Sequence, residues 1–200
     1  MASVTAPPKP LARAVSILGH PLLVLPCSIL LLAVDDGGDV RQLSRLAVGF
    51  AAFAMLVMSY SWWQVRRQRW AHVDASERGE RRSLNLFLLL ALAISAPLAW
   101  QAGLRDLALG LGLSAMMIAA ALLSARWWTL SLHVAFVVFA AMLLLRAGAL
   151  AAVLGLIFAA LVAWSRLQLA RHARRDLVAG AVAGAGAGLA FLQLSATVAT

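Results

Sequence analysis

Residues 84–124 read LNLFLLLALAISAPLAW, then QAGL, then RDLALGLGLSAMMIAAALLS. Two apolar runs, 84–100 and 105–124, are divided by a four-residue break containing Gln101 and Gly103, and Arg105 and Asp106 are the only charges in the stretch. A helix rises about 1.5 Å per residue, so each run approaches the roughly 30 Å thickness of a bilayer's hydrocarbon core. Working outward, the same signature recurs at 14–34, 46–63, 129–145, 147–164 and 177–197. Several of these runs are short, and the pair flanking Arg146 reads as a tight helical hairpin. The expected fold is all-α: a polytopic membrane helix bundle of about six to seven transmembrane helices, forming one domain over 14–200. Met1–Arg13 is polar and Pro-rich and reads as a disordered tail.

Composition supports lipid as the solvent. Sixty-three per cent of the 200 residues are hydrophobic, only 12% are charged, and the mean hydropathy is +0.89. Soluble domains carry about 25% charged residues. Lys9 and Arg13 before the first apolar run resemble the start of a signal peptide. The run then continues for about 20 residues without a small-residue cleavage site, as a retained anchor would. Cys27 is the single cysteine, which excludes an internal disulfide and a thiolate metal cluster.

The net charge of +9 comes from 16 Arg and one Lys against eight acids. Thirteen of these 17 cations fall on one predicted side, in the tail, in 64–83, in 124–128 and in 165–176. Arg41, Arg45, Arg105 and Arg146 fall on the other. Because the cations sit in short loops between spans, a nucleic-acid partner is not expected; anionic membrane lipids or a phosphorylated lipid substrate fit better. The positive-inside rule would make the basic side cytoplasmic. A phosphate site would gather arginines there in either orientation, so the sidedness stays open. The seven tryptophans lie near span ends and read as an aromatic belt.

Three loop clusters could carry chemistry, and an even number of spans between them returns each to the same side. The sharpest is Ser165-Arg166-Leu-Gln-Leu-Ala-Arg171-His172-Ala-Arg-Arg-Asp176, or S-R-x5-H-x3-D. On a helix, residues four apart share a face. Asp176 can then hold the tautomer of His172 and leave the other ring nitrogen as a nucleophile. Arg166 is suited to a bidentate grip on phosphate.

This cluster resembles the third signature motif of the type 2 phosphatidic acid phosphatase superfamily, integral-membrane lipid phosphatases related in their site to vanadium haloperoxidases. The resemblance covers about residues 64–180. It implies that His172 attacks phosphorus to form a phosphohistidine, that Asp176 orients it, and that Arg166 binds phosphate. The family's second motif is Pro-Ser-Gly-His; here the corresponding place reads Leu130-Ser131-Leu132-His133, keeping the Ser and the His. The resemblance implies that His133 is the general acid for the leaving oxygen and that Ser131 donates to phosphate.

The first motif, Lys-x6-Arg-Pro, is not present. The segment Asp74-Ala-Ser-Glu-Arg78-Gly-Glu80-Arg81 looks like a divergent form seen in some prokaryotic members. Arg81, together with Arg67 or Arg69, is the expected remaining phosphate contact.

The expected function is therefore metal-independent, cofactor-free hydrolysis of a lipid phosphate or (poly)prenyl diphosphate, in a prokaryotic plasma membrane. The alternative is a non-enzymatic membrane protein, either a small transporter or a phosphatase-like bundle without turnover. His20, beside Pro21, reads as a packed polar residue of the first span, and His72 as interfacial.

Overall fold

The computed structural model describes residues 9–73, 75 and 77–198. They form an all-α bundle: α1 (Pro10–Leu18), α2 (Pro21–Asp35), α3 (Val40–Arg66), α4 (Arg78–Gln101), α5 (Arg105–Ser124), α6 (Leu132–Leu143), α7 (Ala149–Gln168) and α8 (Arg174–Val198). A 3-10 turn, Leu144–Arg146, follows α6. Helices α3, α4, α5, α7 and α8 are long and apolar enough to cross a membrane, and α1 with α2 qualifies as one bent span. The protein is an integral membrane helix bundle.

Three expectations change. The tail expected to run to Arg13 is helical from Pro10 onward, while residues 1–8 lie outside the described residues. The helix starts early because Pro10 has a φ already set for a first helical position, and Lys9 anchors the end by donating to Gln168 at 2.7 Å. Next, the first span is not continuous: α1 and α2 meet at 51° across Gly19-His20. Pro21 has no N–H to continue the helix backward, and Gly19 lies so close to Val162 that a Cβ there would clash.

The third change is in the expected span 129–145, which is only a twelve-residue helix, α6, or roughly 18 Å long. It is too short to cross alone. Nine of its residues are buried, and it forms the central post of the bundle.

Glycine makes that central position possible. Gly180, Gly184 and Gly188 of α8 lie four apart, and each would press a Cβ into α6: at Ser131 O, Ala135 O and Met142 respectively. Gly155 of α7 does the same at Ala141. The Ala179–Gly188 run is therefore a small-residue seam for close helix approach. Phe139 and Ile118 are fully buried in the core around α6, with Leu143 and Phe136 beside them.

The two ends of the bundle differ. At one end Arg146 bridges Asp36, at 3.1 Å, and Asp106, joining the end of α6 to α2 and α5. At the other end the starts of α6 and α8 meet near the close of α7. The connections thus alternate between the two ends as the apolar runs require.

Candidate functional site

Asp176 organises the second end. It sits in the first turn of α8, 5% exposed. Its Oδ2 accepts from Thr129 Oγ1 at 2.8 Å and from the Ala173 backbone N–H at 3.1 Å, so it closes the turn that carries His172. The backbone carbonyl of Asp176 accepts from the Ser131 N–H at 3.1 Å, which ties the start of α6 to the start of α8. His172 Nδ1 lies 3.7 Å from Asp176 Oδ2. The carboxylate thus stands beside the Nδ1 edge of the imidazole, beyond hydrogen-bond length.

His172 lies in the turn between α7 and α8, with 12% of its side chain exposed. Burial, then the positive charge of Arg166, pull its pKa from 6.5 down to about 4; Asp176 opposes the shift, and Arg81 adds to it. A neutral ring is the nucleophilic form.

Arg166 ends α7 and donates from Nη1 to Ser16 Oγ of α1 at 3.0 Å. Its charge also reaches His133, as does that of Arg171. Ser131 is fully buried, and its hydroxyl has no hydrogen-bond partner among the described residues. Five of the expected residues are thus brought together: His172, Asp176, Arg166, His133 and Ser131.

Arg81 joins them by charge. It is placed by Glu80, a buried carboxylate at the start of α4. Glu80 accepts from the Ala71 N–H at 2.7 Å and from the Glu77 N–H at 3.1 Å, capping α4 and folding the loop back over it. Arg67 and Arg69 are placed otherwise: both guanidinium groups lie over the Trp63 ring, at 4.4 and 6.0 Å from its centroid. Asp74 and Ser76 of the divergent first motif lie outside the described residues.

Two aromatic-rich expectations are corrected. Trp70 is 5% exposed and packs edge-on to Tyr60 at 5.7 Å, so it anchors the α3–α4 loop and is not part of a lipid-facing belt. His20 lies at the break of the bent first span and is not packed there. It stands exposed at the α1–α2 break, its ring edge-on to that of His133 with 5.3 Å between centroids. The Gly-His-Pro tripeptide was the available signal, because Gly before and Pro after a residue mark a helix boundary.

Along α7, Lys9 meets Gln168, and Gly19 meets Val162 six residues earlier, about 9 Å along the helix axis. His20 follows Gly19 and sits beside His133. A cavity of about 430 Å³ lies elsewhere, at the opposite end around Arg146, Asp36 and Asp106. Its central charges neutralise one another.

The arrangement offers a neutral nucleophilic imidazole, a second imidazole and two guanidinium charges, a set suited to a phosphoryl group. Compared with known protein families, curated proteins and solved structures, the chain matches none.

Proposed function

We propose that the protein is a membrane lipid phosphatase acting on a lipid phosphate or prenyl diphosphate by way of a phosphohistidine. The observation that carries this reading is the meeting of His172, beside Asp176 in the α7–α8 turn, with Arg166 of α7 and His133 of α6, within reach of the Arg81 charge. Arg166 and Arg81 neutralise the phosphate without requiring a metal ion. His172 Nε2 attacks phosphorus as the P–O bond to the lipid breaks. His133, protonated beside the bound phosphate anion, gives its proton to the departing oxygen. Water then attacks the phosphohistidine and gives a proton to the now neutral His133. The P–N bond breaks, releasing inorganic phosphate and restoring His172.

A lipid suits this site better than a soluble ester, because the histidines are carried on a membrane helix bundle and a substrate whose tail stays in the bilayer need bring only its head group to them.

The test is phosphate release by detergent-purified protein from a panel of phosphatidic acid, phosphatidylglycerol phosphate and polyprenyl diphosphate. Acid-quenched protein incubated with labelled substrate should carry phosphate on His172. His172→Ala should release none; turnover surviving in that variant would end the proposal.

A non-catalytic reading, as a small transporter or a phosphatase-like bundle without turnover, has one observation in its favour: a cavity of about 430 Å³ lies at the end away from the histidines. Wild-type protein that releases no phosphate from any panel member would move the weight to it.

A further inference from the structure

His20 has no role in the three resembling motifs, yet the fold delivers it to the same site. We propose that His20 is a phosphate-binding residue there, presenting the Nε2–H of a neutral imidazole to the bound phosphoryl group beside His133. The proposal rests on the phosphate-site reading above and adds a residue to it.

Backbone chemistry sets where His20 stands. Its φ of −68° and ψ of 134° are extended, and Pro21 occupies the first position of α2. The helix cannot run back through Pro21, and Gly19 is pinned against Val162. The ring's position therefore follows from a forced helix start.

The same start sets the proton. His20 Nδ1 accepts from the Leu22 N–H at 3.2 Å, capping α2. A ring nitrogen that accepts cannot carry the proton, so the neutral ring holds its hydrogen on Nε2. This is a fixed donor, unlike a freely rotating hydroxyl.

The surroundings suit an anion. His133 of α6 faces the ring edge-on at 5.3 Å, and the charge of Arg166 of α7 acts on both imidazoles. Arg166 is held by Ser16 of α1. The N-termini of α2, α6 and α8 all come to this place, each contributing positive partial charge. Ser131, fully buried with an unpartnered hydroxyl, lies at the same start of α6. A simple helix cap explains the Nδ1 bond but not the pairing with His133, and asparagine would cap α2 as well.

That difference defines the experiment. Binding of inorganic phosphate and of vanadate is measured on purified wild type, His20→Asn and His20→Ala by competition or calorimetry, with thermal unfolding alongside. His20→Asn should keep the unfolding temperature of wild type and bind phosphate roughly tenfold more weakly, the loss of one hydrogen bond to a charged group. Unchanged affinity in His20→Asn would overturn the proposal.

If His20→Asn fails to fold, long-range proton–nitrogen NMR of ¹⁵N-histidine-labelled wild type decides. An Nε2–H tautomer at His20 whose Nε2 signal moves on phosphate saturation supports the role. An Nδ1–H tautomer, or an Nε2 signal unmoved by phosphate, refutes it. Wild type that binds neither anion would instead bring down the underlying phosphate reading, an outcome distinct from binding that ignores His20.

Discussion

Adding one methyl group at Gly180 tests whether the α8–α6 seam sets the geometry of the site. A Cβ at Gly180 would lie 2.5 Å from the carbonyl oxygen of Ser131, which itself accepts from the Ala135 N–H in the first turn of α6. To reach even 3.0 Å, the shortest separation real Cβ atoms show, the helices must part by at least 0.5 Å. The obstacle is backbone, so no side-chain rotation relieves it. Overpacking of this kind costs about 1–3 kcal/mol, against which alanine recovers up to about 1 kcal/mol of helix propensity.

The control is Gly186 on the same helix, where a Cβ meets nothing within 4 Å. Gly186→Ala should be neutral or slightly stabilising, and Gly180→Ala should unfold several degrees lower in detergent. Ser131 and His133 move with the start of α6, so turnover should fall further than stability does. Displacement by about 1 Å can cost about 100-fold. Equal unfolding temperatures and equal turnover in the two alanine variants would refute the claim that this contact places His133.

Other expectations follow from the same geometry. His133→Ala should lose about 10²–10⁴-fold on a lipid phosphate, whose alkoxide is a basic leaving group, and far less on p-nitrophenyl phosphate; equal losses would remove His133 as the general acid. The lowered pKa of His172, about 4, means that the native state binds no proton there between pH 6.5 and 4 while the unfolded chain does. Stability should therefore fall as pH drops through that window, and the acidic limb of the pH–rate profile should lie nearer 4 than 6.5. Arg81→Ala removes a cation that lowers this pKa, so the limb should move to higher pH; an unmoved limb would separate Arg81 from the site. At the other end, Asp36 and Asp106 are about half exposed, at 50% and 47%, so Arg146→Ala should cost only about 1 kcal/mol of stability and leave turnover intact. Turnover lost from a folded Arg146→Ala protein would show that the opposite cavity takes part in the chemistry.

The membrane class and most of the helices were legible in the sequence, because a long uncharged run in lipid has one way to satisfy its backbone, as a helix. The run Arg105–Ser124 became α5 with its expected bounds. The S-R-x5-H-x3-D spacing also kept His172 near Asp176, but not by a shared helix face as expected: α8 starts only at Arg174, and a turn closed by Asp176 brings the ring to 3.7 Å from its carboxylate.

What required the tertiary structure was every relation between distant segments. Sequence hydropathy registers apolarity but not whether protein or lipid supplies it, so α6 reads as a span although it is a short post sheathed by glycine-lined helices. Arginines in a loop look alike in sequence; packing sends the Arg67 and Arg69 guanidiniums to Trp63, while Arg81, beside the capping Glu80 at the start of α4, lies where its charge reaches His172. His20 is separated from His133 by more than half the chain, and no local rule connects them. Their meeting follows from where a helix break and a helix start coincide in space, which only the packing of α1 on α7 and of α2 on α6 determines.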